Sequence, residues 1–186
     1  KHLVGKTGVD GITRFADGGL RTAEEFRQLA EGGFGASQPL TGAPYNWGGV
    51  NWGDCSGAMA AFARFAAGLP PFAGRFSTAT MAAQLQQMGA IMGNGPAGTM
   101  RFGWYNGGPG GGHAIGQLPD GANVEMGGAN GGGMLGGTAG PDDAQFTDHA
   151  YFPVKATTTT DGSGDGTGDG SGDGTGDGSG DGSGDG

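Results

Sequence analysis

The residue best suited to chemistry in this sequence is Cys55, the only cysteine of the chain. It stands in the run Gly-Asp-Cys-Ser-Gly, directly before an alanine-rich segment that predicts a helix. A helix start carries free N–H groups and the positive end of the helix dipole, and both favour an anion. This position is therefore expected to lower the pKa of the thiol and to make the sulfur nucleophilic. The alternative interpretation is a small, inert, buried residue near a helix cap.

A nucleophilic thiol needs a base, and of the three histidines His113 is the best placed. A glycine-rich loop leads to it, and a predicted strand begins at it. Glu125 follows twelve residues later, on the return strand of a hairpin expected to have a two-residue turn at Asp120-Gly121. In that hairpin Leu118 pairs with Val124 or a nearby residue, and the carboxylate reaches the imidazole. It would then orient the ring and stabilise the imidazolium.

Three helices are expected to lie before the strands. The first covers residues 21–33, with Thr22 as its N-cap and a Gly-Gly pair as its end. The second runs from Asp54 or Cys55 to about Ala67, before a Gly-Leu-Pro-Pro stop. The third lies within residues 77–90, with Ser77 as its candidate cap and an apolar stripe at helical spacing.

The second half of the chain predicts short strands separated by glycine clusters. They are expected within residues 98–106, 112–119, 122–128 and 148–154. The glycine clusters at 106–113 and 127–140 are interpreted as extended loops, and residues 1–20 as irregular. Helices followed by strands in antiparallel succession favour an α+β fold with the helices packed on a small antiparallel sheet.

Composition divides the chain into three parts. These are an N-terminal segment with a short helix, a candidate catalytic domain and an Asp-Gly-Ser/Thr-Gly repeat tail, at residues 1–32, 33–156 and 157–186. Seven of the 18 acidic residues lie from position 161 onward. Residues 1–160 therefore contain 11 acidic residues and nine Lys and Arg residues. The tail lacks apolar residues and is expected to be a flexible, self-repelling segment, because it has nothing to bury. Its aspartate spacing fits neither an EF-hand loop nor a nonapeptide calcium repeat.

Several classes of function lack support in the sequence. No basic stripe or phosphate-binding glycine motif indicates nucleic acid or nucleotide as a partner. One cysteine and dispersed histidines lack the spacing of a metal site, and no cofactor is expected. No signal peptide and no stretch of 18 apolar residues is present, so no membrane partner is expected. As an isolated domain the chain is expected to be a monomer.

The run Pro-Tyr-Asn-Trp-Gly-Gly-Val-Asn-Trp-Gly-Asp-Cys-Ser-Gly at 44–57 resembles the cysteine motif of NlpC/P60 peptidases. The segment from the glycine before His113 to Met126 resembles the histidine strand of that family. The resemblance covers residues from about 44 to 154. It departs from the family at Gly53, where an aromatic residue is usual, and at Glu125, where many members have histidine.

The resemblance implies a papain-like α+β fold and a peptidase that hydrolyses amide bonds in bacterial cell-wall peptides, often between γ-D-glutamyl and diaminopimelate. It implies Cys55 as nucleophile, His113 as base and Glu125 as orienting group. The positions implied to bind substrate are Tyr45, Asp54 and Ser56, and Trp47 is interpreted as both a loop anchor and a substrate contact.

Two locations and three functions are consistent with this resemblance. A short segment near the start, Gly-Ile-Thr-Arg-Phe-Ala-Asp-Gly-Gly-Leu, weakly resembles phage tail tape-measure proteins, which predicts a virion tail. A secreted protein at the bacterial cell wall is the other prediction. The main alternative to a peptidase is a non-catalytic peptidoglycan-binding or structural module. An acyltransferase or amidase using the same thiol is a further alternative.

Overall fold

The computed structural model describes residues 19–107 and 111–157, and the backbone alone of residues 6–7 and 13–14. Two short strands, β1 (Lys6–Thr7) and β2 (Thr13–Arg14), pair antiparallel in the segment expected to be irregular. The repeat tail, with its expected flexibility and absence of a calcium site, lies outside the described residues apart from residue 157.

Three helices precede the main sheet: α1 (Ala23–Ala30), α2 (Cys55–Ala66) and α3 (Met81–Gln87). Helix α1 begins with the expected capping box, in which Thr22 accepts from the N–H of Glu25 and the Glu25 side chain accepts from the N–H of Thr22. Helix α3 starts later than expected, because Ser77 forms a turn with Thr80 instead of capping the helix. The prediction of Ser77 as the cap was therefore wrong.

The main sheet has six antiparallel strands in the order β3-β8-β4-β5-β6-β7. Their bounds are β3 (Ile91–Met92), β4 (Met100–Tyr105), β5 (His113–Gln117), β6 (Asn123–Met126), β7 (Gly133–Gly137) and β8 (Asp148–Phe152). The α+β class is confirmed. Strand β7 lies inside a glycine cluster that was predicted to be a loop, and β3 was not predicted.

The hairpin between β5 and β6 differs from the predicted one. Gly116 pairs with Val124 and Ile115 pairs with Glu125, so Leu118 is not the partner of Val124. The Leu118 N–H bonds to the Ala122 carbonyl, which leaves a three-residue loop in place of the predicted two-residue turn. Because Glu125 pairs with Ile115, two residues after His113 on β5, its side chain lies on the same face of the sheet as His113.

Helix α2 is the centre of the hydrophobic core and packs against β5 and β6. Apart from Arg64, each of its residues is buried. The contact with the sheet is close because a Cβ at Gly116 of β5 would lie 2.9 Å from the sulfur of Met59. This packing fixes the start of α2 against the start of β5, and those two positions carry Cys55 and His113.

Candidate active site

Cys55 is the first residue of α2, and its fractional exposure is 8%. The helix begins there because Asp54 is extended and its carboxylate accepts a hydrogen bond of 2.9 Å from the Gly57 N–H. The backbone N–H of Ala114, the residue after His113, lies against the thiol and lowers its pKa. The structure therefore places the sulfur between the start of α2 and the start of β5.

The net pKa of the Cys55 thiol is raised, contrary to the expectation from its position at a helix start. Burial has the largest effect, and the negative charge of Asp54 acts in the same direction. The N–H groups of Ala114, Ser56 and Cys55 itself oppose this shift without cancelling it. At neutral pH the sulfur is accordingly a thiol, and a thiol becomes a nucleophile only when a base takes its proton.

His113 begins β5 and Glu125 lies on β6, with 3.9 Å between His113 Nε2 and Glu125 Oε2. Burial lowers the pKa of His113, while the charge of Glu125 raises it in partial compensation. The ring is thus neutral at neutral pH and able to accept a proton. Nε2 is the ring nitrogen that faces the carboxylate. Phe146 flanks the ring, with 6.0 Å between the ring centroids.

The four residues expected to bind substrate divide into two buried and two exposed side chains. Asp54 and Ser56 are buried at the start of α2, whereas Tyr45 and Trp47 are 40% and 72% exposed. Burial raises the pKa of the Tyr45 phenol, and Cys55 and Asp54 raise it further against the positive charge of Arg75. Trp47 lines a cleft with Cys55 and is not a core anchor.

Arg75 belongs to this site although nothing in the sequence pattern singled it out. Its guanidinium donates to both carboxylate oxygens of Asp54, at 2.8 and 2.9 Å, and to the Gly49 carbonyl at 3.0 Å. It also donates to the Ser56 hydroxyl at 3.3 Å. The Asp54 carboxylate is therefore saturated from inside the protein, and it holds the loop before Cys55 in place. An arginine in a loop that follows Pro-Pro gives no local signal of such a partner.

Gly53, which stands where the NlpC/P60 motif usually has an aromatic residue, adopts a backbone conformation that excludes a side chain. Gly53 has φ +56°, and a Cβ there would lie 2.0 Å from the Gly49 carbonyl oxygen. No larger side chain fits this backbone. The neighbouring Trp52 is buried against Phe62 and Phe72 at centroid distances of 5.5 and 5.0 Å.

Two clefts meet at the site. Cys55 lines one of about 340 Å³, together with Trp47 and Arg75. His113 and Glu125 line another of about 880 Å³. Gly112 borders both clefts.

Comparison with protein-family models, with curated proteins and with solved structures finds no match to this chain. The fold established is therefore the mixed α+β fold of three helices and a six-stranded antiparallel sheet. Among the residues that the structure describes, no helix is long and apolar enough to cross a membrane.

Proposed function

We propose that this protein is a cysteine hydrolase, with Cys55 as nucleophile, His113 as base and Glu125 as the group that orients the imidazole. One observation carries the proposal. The thiol at the start of α2 lies against the backbone N–H of Ala114, and the preceding residue, His113, faces a buried carboxylate at 3.9 Å. A purely structural cysteine has no need of a buried histidine and glutamate pair beside it.

The pKa directions define how this site would work. Both Cys55 and His113 are shifted toward their neutral forms, so the resting state is a thiol beside a neutral imidazole. As the sulfur attacks the carbonyl carbon, the thiol proton passes to His113 and Glu125 stabilises the imidazolium. The imidazolium then protonates the leaving nitrogen as the C–N bond breaks. Water, deprotonated by the same ring, releases the acyl group from the sulfur.

The backbone supplies the stabilisation of the oxyanion in this proposal. The first N–H groups of α2 have no partner inside the helix, and that of Cys55 lies next to its own sulfur. A carbonyl oxygen held there would gain a donor as negative charge develops on it.

The substrate class follows from the resemblance of residues 44–57 and 112–126 to NlpC/P60 peptidases. We propose a papain-like fold and hydrolysis of amide bonds in peptidoglycan stem peptides, with the γ-D-glutamyl–diaminopimelyl bond as the first candidate. The place of action would be the bacterial cell wall, reached either by secretion or on a phage tail. A helix start packed on an antiparallel sheet that carries the histidine supports this proposal.

The test is digestion of purified diaminopimelate-type peptidoglycan, with released fragments identified by mass spectrometry. Wild type is compared with Cys55→Ala, which removes the sulfur and leaves a good helix former at the first position of α2. Fragments from wild type alone would support a thiol hydrolase and identify the bond that is cut. Equal fragments from both proteins, or none from either, would refute the proposal.

A second candidate function is a non-catalytic module that binds peptidoglycan. The observation that favours it is the exposed apolar loop beside the cleft, where Tyr45, Trp47 and Val50 are 40%, 72% and 55% exposed. Exposed aromatic side chains at a cleft are typical of binding surfaces. Sedimentation with the insoluble wall, lost in Trp47→Ala and retained in Cys55→Ala, together with an absence of released fragments, would favour this function.

A further inference from the structure

The two clefts divide the catalytic residues between them. Among the described residues, Cys55 and Ser56 line the smaller cleft, and His113 and Glu125 line the larger. Of the residues that the structure describes, only Gly112 lines both clefts. A substrate that reaches both the sulfur and the imidazole must therefore pass Gly112, with one portion in each cleft.

The chemistry decides which portion lies where, and this step rests on the proposed function. When the S–C bond forms and the C–N bond breaks, the acyl portion stays on Cys55, while the leaving nitrogen receives the proton held by His113. We infer that the larger cleft binds the leaving-amine portion of the substrate, and that it takes a bulky amine without a free carboxylate beside the amino group.

The size of the larger cleft supports a bulky leaving group. Its volume of about 880 Å³ lies near the upper end of the range for small-molecule sites, about 300–1,000 Å³. One wall is the segment from Gly128 to Ala139, where glycines and small residues leave the space unfilled. The smaller cleft, at about 340 Å³, offers less than half of this volume to the acyl portion.

The charge of the larger cleft supports an amine whose carboxylate is masked. In its described lining Glu125 is the acidic side chain and His113 the basic one, and no Lys or Arg lines it. The other polar side chains of this lining are hydrogen-bonding groups, on Tyr105, Asn130, Thr138 and Gln145. A free carboxylate beside the scissile amine would face Glu125, a like charge that is 6% exposed. An amide in its place would avoid this repulsion.

The test uses three substrates with the same γ-D-glutamyl acyl portion. Their leaving groups are free diaminopimelate, its amidated form, and an amidated form cross-linked to a second stem peptide. Three variants are compared with wild type: Ala129→Trp fills the larger cleft, Ala79→Trp fills the smaller one, and Ala97→Trp changes an exposed residue outside both. Thermal unfolding of each variant reports whether it folds.

Ala129→Trp should lower kcat/KM for the cross-linked substrate about tenfold more than for the small amidated one. Ala79→Trp should lower kcat/KM for all three substrates alike, because they share the acyl portion, and Ala97→Trp should lower none. Wild type should prefer the amidated leaving group to the free acid. Equal effects of Ala129→Trp on all substrates would overturn the assignment of the cleft, and a preference for the free acid would overturn its charge selectivity.

These outcomes are separate from failure of the proposed function. If wild type cleaves none of the substrates and matches Cys55→Ala, the hydrolase proposal fails and the assignment of the cleft fails with it. If wild type cleaves them and only the pattern among the variants differs, the hydrolase proposal stands and the assignment of the cleft alone is refuted.

Discussion

The salt bridge between Arg75 and Asp54 joins three parts of the site. Arg75 holds the Asp54 carboxylate at the start of α2 and the Gly49 carbonyl in the preceding loop. Asp54 in turn accepts from the Gly48 and Gly57 N–H groups at 2.8 and 2.9 Å. Replacing Arg75 with Gln should therefore loosen the loop and leave a buried carboxylate without its cation.

The expected loss of stability in Arg75→Gln follows from how deeply the ion pair with Asp54 is buried. Removing one partner of a buried ion pair costs about 3–5 kcal/mol, because the other charge stays buried without compensation. The side chain of Asp54 is 4% exposed, but that of Arg75 is 23% exposed, and two backbone donors to the carboxylate remain in the variant. We therefore expect Arg75→Gln to lower the free energy of unfolding by about 2–3 kcal/mol near neutral pH.

The loss should depend on pH in a defined direction. Burial alone raises the pKa of the Asp54 carboxyl, but the hydrogen bonds from Gly48 and Gly57 and the Arg75 guanidinium outweigh it, so the pKa is lowered. A lowered pKa in the folded state contributes stability above the unfolded pKa, and this is lost as pH falls through the folded pKa. Without Arg75 the pKa of Asp54 is higher, so its carboxylate is protonated at a higher pH. The difference between wild type and Arg75→Gln should shrink as pH falls.

Urea unfolding at about pH 7 and about pH 4 measures both effects. The matched control is Arg27→Gln, which breaks an ion pair with Asp120 whose side chains are 30% and 31% exposed. That change should cost at most about 1 kcal/mol, as exposed pairs do. Equal losses in the two variants, or a loss in Arg75→Gln that grows as pH falls, would refute this reasoning.

Two further predictions concern the base and the loop. Glu125→Gln removes the charge that raises the pKa of His113, so the acid limb of the kcat/KM profile should move to lower pH, with kcat lowered about 10²-fold or more. An acid limb that moves upward would contradict the proposed pairing. Gly53→Ala places a Cβ 2.0 Å from the Gly49 oxygen and should lower the free energy of unfolding by more than about 2 kcal/mol. The control is Gly35→Ala, where the added Cβ meets open space, and it should lower the free energy of unfolding by less. Thermal or urea unfolding measures both.

The start of α2 could be predicted from the sequence because its signals are local. Asp54 is a good N-cap, the alanines favour a helix, and Gly68 and Pro70 end it. The hairpin that carries His113 and Glu125 was also predictable, although its loop has one more residue than the prediction. A two-residue turn would pair Glu125 with Gly116, on the face away from His113. The third loop residue moves the register by one and pairs Glu125 with Ile115, on the face of His113.

Strand β7 could not be predicted because its stabilisation is not local. Its five residues are Gly-Met-Leu-Gly-Gly, a composition typical of a loop. It becomes a strand because its backbone pairs with β6, where Met134 lies opposite Glu125. In addition, the Gly42 N–H donates to the Gly133 carbonyl, and the Gly133 N–H donates to the Ala43 carbonyl. The wall of the larger cleft thus depends on pairing between distant residues, for which the glycine cluster holds no local signal.

The pKa of Cys55 shows why motif reasoning gave the wrong direction for the electrostatics of the candidate site. A helix start favours a thiolate, and the N–H groups seen at the sulfur do lower its pKa. Burial of the thiol and the adjacent Asp54 charge act more strongly, and both depend on how the loop folds over α2. Since Arg75 neutralises Asp54 from a segment 21 residues away, the reactivity of the thiol depends on a long-range contact. Loss of Arg75 should therefore raise the pKa of the thiol. The pH dependence of alkylation of Cys55 by iodoacetamide measures this pKa. An unchanged or lower midpoint of the alkylation rate against pH in Arg75→Gln would show that the Asp54 charge does not control the pKa of the thiol.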